Sequence, residues 1–205
     1  MNGAPTRFER MTHSPNTLRI IGGTWRGRKL RFPTVDGLRP TPDRVRETLF
    51  NWLQPIIAGA RCLDLFAGSG ALGFEALSHG AASVMMVERD GSAVKHLREN
   101  IAVLKTTGVQ VIQRDALEFL NGGRSDMASF DVIFLDPPYH QDLIAPCCTA
   151  LEQHGWLAPH AHLYIETERS LVQLRLPVNF TITRDKAAGQ VAYRLIVRNS
   201  GAPDV

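Results

Sequence analysis

The tetrapeptide Asp136-Pro137-Pro138-Tyr139 directly follows an apolar run, Phe130–Leu135, and its residue types suit attack by an amino group of a nucleobase. Such an amine is a poor nucleophile because its lone pair is delocalised into the ring, and acceptors for its N–H protons help to localise that pair. Asp136 offers a carboxylate and Pro137 a carbonyl, and neither proline has an N–H to compete. Tyr139 offers a ring for an extruded base. We predict that all four residues are catalytic; a proline-rich turn that only ends a strand is the simpler alternative.

A glycine turn lies earlier in the chain, between the apolar run Cys62–Phe66 and the helix-forming segment Ala71–Ser78. Gly68 and Gly70 allow the backbone to turn tightly and to approach a ligand closely, and Gly73 allows the helix to pack close to the strand. We therefore predict a nucleotide-type ligand at this turn. A glycine turn that serves only helix packing is the alternative.

A second apolar run, Ser83–Val87, ends in Glu88, which lies about where nucleotide-binding folds place a carboxylate for ribose hydroxyls. At this point of the argument NAD fits as well as any other nucleotide. In open α/β sheets ligands bind outside the carboxyl ends of the strands. The tetrapeptide at 136–139 is therefore expected beside the glycine turn.

Strand-like and helix-like patterns alternate from the glycine turn onward. The predicted strands cover 62–66, 83–87, 109–113, 130–135 and 162–166, and the predicted helices cover 71–78, 91–104, 116–120 and 141–153. This alternation predicts an α/β, Rossmann-like, doubly wound and mostly parallel sheet with helices on both faces. Two further runs, 180–184 and 191–197, flank a predicted loop at 185–190 and indicate a C-terminal antiparallel hairpin.

The N-terminal part of the chain is basic. From Arg19 to Arg46 it carries eight Arg and Lys residues against two Asp and no Glu. Such a segment is typical of a surface that binds a polyanion, although a solvated basic face is the alternative. We expect a β-hairpin within 18–32 to carry much of this charge. A helix is predicted over 43–53, with Thr41 as its N-cap and Pro42 at its first position.

Length and composition are those of an ordinary globular protein. The 205 residues are 44% hydrophobic and 21% charged, with a net charge of +3. We expect a flexible tail at 1–17, a basic extension at 18–54, the main domain at 55–199 and a short tail at 200–205. No apolar run reaches membrane-spanning length and no signal peptide is evident, so we expect a soluble cytoplasmic protein. The three cysteines are expected to be buried and reduced, and no metal-ligand pattern is present.

Taken together, the glycine turn, Glu88, Asp115-Ala116 and the tetrapeptide at 136–139 resemble class I S-adenosylmethionine-dependent methyltransferases. More narrowly, the chain resembles the RsmD family, bacterial enzymes that methylate N2 of a guanine in small-subunit ribosomal RNA. The segments that carry this closer resemblance are IIGGTWRGRKL at 20–30, LRPT at 38–41, DRVRETLFNW at 43–52 and AGQVAYR at 188–194. The resemblance extends over 18–198.

The resemblance implies S-adenosylmethionine as the cofactor and 16S ribosomal RNA as the partner, with the target guanine held at 136–139 and no metal required. The residues expected at the cofactor are Asp64, Phe66, Gly68, Ser69, Gly70, Glu88, Arg89, Asp115, Ala116 and Asp136. Those expected at the RNA are Arg26, Arg28, Lys29, Arg31, Arg39, Thr41 and Arg44. We expect a monomer that acts on a small-subunit assembly intermediate.

Several roles stay open from the sequence. Arg39 and Thr41 could touch the cofactor or the RNA, or only cap the helix, and His140 lies beside the tetrapeptide without an assigned role. Glu166 could line the substrate rim or be a solvated strand end. The other function classes are a hydride-transferring dehydrogenase, an adenine-N6 methyltransferase of DNA or RNA, and a non-catalytic RNA-binding protein. The dehydrogenase leaves the tetrapeptide at 136–139 and the basic extension unexplained.

Overall fold

The computed structural model describes residues 16–34, 40–123 and 128–199. The strands are β1 (Asn16–Arg19), β2 (Lys29–Phe32), β3 (Arg61–Asp64), β4 (Ser83–Glu88), β5 (Val109–Gln113), β6 (Phe130–Leu135), β7 (Leu157–Glu168), β8 (Phe180–Ala188) and β9 (Val191–Arg198). The α-helices are α1 (Asp43–Leu53), α2 (Ala71–Ser78), α3 (Gly91–Leu104), α4 (Ala116–Asn121) and α5 (Ile144–Gln153).

A seven-stranded sheet forms the centre of the fold, in the order β5-β4-β3-β6-β7-β9-β8. The first five of these strands are parallel, and the last two form an antiparallel hairpin. The strand order reverses between β3 and β6, because β4 and β5 lie on one side of β3 and β6 and β7 on the other. The predicted fold class is confirmed, and the reversal creates the crevice in which such sheets bind ligands.

Two apolar layers cover the sheet. Helices α1, α2 and α3 pack on one face through residues such as Leu49, Phe74 and Leu97. Helices α4 and α5 pack on the other face, where Trp156 is fully buried and its indole N–H donates to the carbonyl of Leu120 at 3.1 Å. The three cysteines are buried and unpaired, as expected. Within the described ranges, no helix is both long and apolar enough to cross a membrane.

Some predicted boundaries are wrong. Helix α5 begins at Ile144 and not at 141, because His140 and Asp142 have φ values of 61° and 50°, which a right-handed helix cannot include. Strand β7 is longer than predicted. The predicted loop at 185–190 is mostly strand, since β8 continues to Ala188 and a turn at Gly189 leads into β9. An irregularity interrupts the β8–β9 register near Thr183.

The N-terminal hairpin, β1 and β2, packs against α2 and α3. Leu18 and Phe32 form a small buried cluster with Ala71. The backbone of Arg31 is paired with the side chain of Asn100, which accepts its N–H at 3.2 Å and donates to its carbonyl at 2.8 Å. These contacts hold one strand of the basic hairpin directly against the main sheet's helical layer.

The turn of this hairpin contacts the end of α2. The Ser78 hydroxyl accepts from the backbone N–H of Trp25 at 2.9 Å and donates to the carbonyl of Gly22 at 2.6 Å. Gly23 has a φ of +68°, and a Cβ added there would lie 1.8 Å from the Ser78 carbonyl oxygen. Only glycine fits at this position.

A buried ion pair connects the hairpin to α1 and α2. The Arg46 side chain is fully buried and donates to the equally buried Glu75 at 2.7 Å. Glu75 also accepts the backbone N–H groups of Ile21, at 2.6 Å, and Gly22, at 3.3 Å. Arg46 was counted from the sequence with the basic surface, and that assignment is wrong because no part of its side chain is exposed.

The remaining Arg46 donors reach three other groups. They contact the Arg19 carbonyl at 2.9 Å, the Thr41 carbonyl at 3.1 Å and the Asp43 carboxylate at 2.6 Å. One guanidinium therefore joins the hairpin, the residues at the start of α1, and α2.

We predict that Arg46→Met destabilises the protein by about 3–5 kcal/mol, because it leaves the buried Glu75 carboxylate without its cation. Urea unfolding measures the loss. Arg44→Met on the exposed side of the same helix is the control and should change stability by less than about 0.5 kcal/mol. Equal effects of the two substitutions would contradict this role of the ion pair.

Candidate active site

Three acidic side chains meet at the carboxyl ends of neighbouring strands. Asp64 is the last residue of β3, Asp136 follows β6, and Glu166 lies near the end of β7. The parallel register pairs Asp64 with Phe134 and places Asp136 beside Glu166, one residue beyond the last pair of that ladder. Because side chains alternate between the faces of a sheet, all three acids lie on the face that α1 and α2 cover.

The glycine turn lies directly after β3. Gly68 and Gly70 have φ values of 50° and 79°, and the N–H of Ala67 donates to the Val87 carbonyl at 3.0 Å, which joins the turn to β4. The close packing expected at Gly73 is present, since an added Cβ would lie 2.4 Å from the methyl group of Met86. The turn therefore opens α2 immediately beside the acidic cluster.

Two carboxylates hold the backbone around this turn. Asp64, 2% exposed, accepts the N–H of Gly73 at 3.1 Å. Burial, with a smaller contribution from the Glu88 charge, raises the pKa of Asp64 to about 7, although hydrogen bonds from the backbone N–H groups of Gly73 and Phe66 oppose the shift. Glu88 accepts the N–H groups of Gly68 and Asp90, both at 2.8 Å. It therefore ties the turn after β3 to the loop after β4.

Asp136 is positioned by Thr41. The Thr41 hydroxyl donates to the Asp136 carboxylate at 3.3 Å, and the Thr41 carbonyl is held by Arg46. Burial raises the pKa of Asp136 well above its ordinary value, and the charges of Glu166 and Asp64 add to this effect. The hydrogen bond from Thr41 lowers it in part.

The expectation that Thr41 caps α1 is therefore wrong. The N-cap of α1 is Pro42, which makes no side-chain capping bond. Thr41 does not cap the helix, because its hydroxyl donates to Asp136 instead. Thr41 is only 4% exposed, and its contact with RNA stays a prediction. In the structure Thr41 is a hydrogen-bond donor to Asp136, the first residue of the tetrapeptide.

Glu166 is buried, so the alternative of a solvated strand end is wrong. It is 4% exposed and accepts hydrogen bonds from the hydroxyls of Tyr164, at 2.7 Å, and Tyr139, at 3.4 Å. Burial raises the pKa of Glu166, although both phenol hydrogen bonds oppose the shift. Burial, followed by the charges of Glu166 and Asp136, raises the pKa of Tyr139, so this phenol stays protonated and is a donor at neutral pH.

The other predicted cofactor residues surround the same edge. Asp115 caps α4 by accepting the N–H groups of Leu117 at 2.9 Å and Glu118 at 3.2 Å. Phe66, Ser69 and Ala116 are buried or half-buried near the strand ends, and Arg89 is exposed after β4. His140, whose φ places it in the left-handed region, lies 3.3 Å from the Glu168 carboxylate and forms a surface pair at the rim.

Most of the predicted RNA-contact residues are exposed. They are Arg26, Arg28, Lys29, Arg31 and Arg44. Arg39 lies outside the described residues. We call this exposed set, four residues of the hairpin and Arg44 on α1, the basic arm.

The acidic cluster lacks a basic partner among the residues that the structure describes. None of the ion pairs found in the described part of the chain includes Asp64, Glu88, Asp136 or Glu166. Across the described ranges, no three or more His, Cys, Asp or Glu side chains are arranged to hold a metal ion. A site with unpaired buried carboxylates favours an organic cation as its ligand.

Sequence reasoning missed the Arg46–Glu75 pair and the burial of Glu166. A signal for the pair is present in A-L-G-F-E-A-L-S at 71–78, where one carboxylate interrupts an otherwise apolar helix. A buried Glu needs a cation or several donors. No comparable signal marks Glu166, because a carboxylate at a strand end is ordinarily solvated.

Comparison with known proteins gives a consistent family. The family model described as conserved hypothetical protein 95 matches residues 18–197. Ribosomal RNA small subunit methyltransferase D of Escherichia coli (strain K12) is 48% identical over 183 residues, which cover 89% of this chain and 91% of that protein. The protein of the same name from Haemophilus influenzae is 47% identical over 180 residues, which cover 87% of this chain and 92% of that protein.

A solved structure has the same fold. The structure of yhhF from Escherichia coli superposes with a TM-score of 0.84 at 45% sequence identity, over 91% of this chain and 100% of that chain. A likeness of this extent covers most of the described fold.

The raised pKa of Asp64 gives stability a pH dependence of definite sign. Its pKa is 3.8 without the folded environment and about 7 in the folded protein. Between these values the folded state keeps a proton that the unfolded state has lost, so stability falls as pH rises through this window and is constant above it. The free energy of unfolding of Asp64→Asn does not include this titration. We predict that the difference in unfolding free energy, variant minus wild type, is more favourable to the variant at pH 8 than at pH 5 by roughly 2–3 kcal/mol. Urea unfolding at both pH values measures this difference.

Asp131→Asn is the matched control. Burial acts to raise the pKa of Asp131, but its hydrogen bonds and ion pair with Arg61 outweigh burial and lower it. Asp131 is therefore ionised in both states from pH 5 to pH 8, and the effect of its substitution should not change with pH. An Asp64→Asn effect that is the same at both pH values would contradict the assigned shift.

Proposed function

Because this chain belongs to the RsmD family, we propose that it transfers the methyl group of S-adenosylmethionine to the exocyclic N2 of a guanine in 16S ribosomal RNA. The observation that carries the proposal is the meeting of the tetrapeptide at 136–139 with the glycine turn across the β3–β6 crevice. The relatives from Escherichia coli and Haemophilus influenzae, named as small-subunit methyltransferases, support the class of RNA.

The acidic cluster fits a cationic methyl donor. S-adenosylmethionine, when bound, supplies an electrophilic methyl group on a sulfonium, and it also carries an ammonium group. We assign the methionine part to Asp64 and the turn at 66–70, the ribose hydroxyls to Glu88, and the adenine edge to Asp115 and Ala116. The positive charge of this ligand lowers the pKa of the carboxylates beside it, so that they are ionised when the donor is bound.

The tetrapeptide prepares the amine for transfer. The Asp136 carboxylate and the Pro137 carbonyl accept the two N–H protons of the guanine N2 amine and localise its lone pair. Tyr139, 37% exposed, offers its ring to the extruded base. The methylated amine would have one proton too many, and the Asp136 carboxylate would take it, while the donor would leave as the neutral thioether. The Thr41 hydroxyl keeps this carboxylate oriented.

The basic arm supplies RNA affinity. Its Arg and Lys side chains are exposed, and the hairpin is fixed to the main domain by Glu75, Ser78 and Asn100. Phosphate contacts of this kind position an RNA without reading its sequence. The basic arm therefore orients the RNA so that one base reaches the crevice.

We predict that Asp136→Asn keeps donor binding within about threefold of the wild type and lowers turnover by roughly 10²–10⁴-fold, because the amide is a poorer acceptor and takes no proton. Transfer of labelled methyl onto small-subunit RNA and onto the assembled particle, followed by nucleoside analysis, measures turnover and identifies the product. Asp131→Asn, at the other end of β6, is the control and should be fully active.

The product decides the base. N2-methylguanosine is expected, whereas N6-methyladenosine would overturn the substrate assignment. Unchanged turnover by the Asp136→Asn variant would overturn the role of this acid.

We predict that the double substitution Arg26→Ala with Arg28→Ala weakens RNA binding and lowers the slope of log affinity against log salt by about 1.5, because two phosphate contacts are lost. Filter binding at several salt concentrations measures both quantities. Lys105→Gln, at the opposite end of α3 from the crevice, is the control. An unchanged slope in the double variant would remove the basic arm from the RNA interface.

A further inference from the structure

A second buried acid lies beside the proposed acceptor of the amine. Asp136, the first residue after β6, lies beside Glu166 of β7, on the same face of the sheet. Asp136 and the Pro137 carbonyl together accept both protons of the amine, so the mechanism above leaves Glu166 without a role. A carboxylate buried next to another carboxylate destabilises the folded state, and such an arrangement is a strong indication of a functional site.

The orientation of Glu166 is fixed from two sides. Its Oε2 accepts from the fully buried Tyr164 at 2.7 Å, which anchors that oxygen in the core. Its Oε1 is 3.4 Å from the hydroxyl of Tyr139, the residue whose ring is partly exposed in the crevice. Each carboxylate oxygen can accept two hydrogen bonds. Oε1 therefore has acceptor capacity left beyond its contact with Tyr139.

The base-pairing edges of guanine and adenine differ at N1, the atom beside the amine that a free acceptor on Glu166 would contact. Guanine presents two neighbouring donors, its N1–H and its N2 amine, whereas adenine presents an amine donor beside N1, which is an acceptor. Two adjacent carboxylates match the guanine edge. The same pair would place a negative oxygen against the N1 lone pair of adenine, which rejects that base.

We infer that Glu166 is a specificity-determining residue, whose Oε1 accepts the N1–H of the target guanine while Asp136 accepts from its N2 amine. This inference rests on the proposed guanine-N2 methylation and adds the means by which the base is chosen. Tyr139 and Tyr164 hold the carboxylate in place for this contact.

The test uses 2-aminopurine, which keeps the 2-amino group but has no N1–H. The methylated guanine is first mapped with the wild-type enzyme. Small-subunit RNA is then assembled by ligation with either guanine or 2-aminopurine at that position, and kcat/KM is measured for both. The wild type should prefer guanine by more than about 100-fold, because the analogue leaves a buried acceptor unpaired. In Glu166→Gln the preference should fall to within about tenfold, since the amide can donate to N1 of the analogue.

Glu168→Gln, two residues along the same strand and paired with His140, is the control and should keep the wild-type preference. A Glu166→Gln variant that loses both activities in equal proportion, or that changes only donor affinity, would overturn the inference. So would a wild-type enzyme that methylates both bases equally well, and this comparison needs no variant. Failure of the wild type to form any N2-methylguanosine would instead refute the proposed function itself.

Discussion

The hydrogen bonds of the buried Arg46 guanidinium fix how the hairpin, α1 and α2 are arranged around the site. The guanidinium binds Glu75 on α2, the Arg19 carbonyl of the hairpin and the Thr41 carbonyl before α1. A planar group with several fixed donors sets distances and angles as well as supplying energy. The position of Thr41, and through it that of the Asp136 carboxylate, is therefore determined by the same residue that attaches the hairpin.

The acidic cluster is a second constraint of a different kind. Asp64, Asp136 and Glu166 all have raised pKa values, and burial is the main cause in each case. The fold tolerates this unfavourable arrangement because two apolar layers stabilise the sheet on both faces. Such local destabilisation is typical of active sites. A cationic ligand would supply a positive charge beside these buried carboxyl groups.

The sequence predicts the periodic parts of this protein well. The alternating strands and helices, the glycine turn and the family membership are all confirmed. Burial of single polar residues was not predicted. Arg46 belongs to a basic segment, Thr41 has the type and position of a helix cap, and Glu166 is near a strand end, so local pattern places all three at the surface. What buries them are contacts with residues distant in the chain, namely Glu75, Asp136 and the two tyrosines.

Strand β8 forms one edge of the sheet, and most of its side chains are exposed. An unpaired edge of nine residues offers its backbone to any other extended chain, which is a route to aggregation. The register irregularity near Thr183 bends this edge, and Arg184, Asp185 and Lys186 place alternating charges along it. These features discourage a second copy from pairing there. A long exposed edge strand is thereby combined with features that disfavour strand-to-strand association.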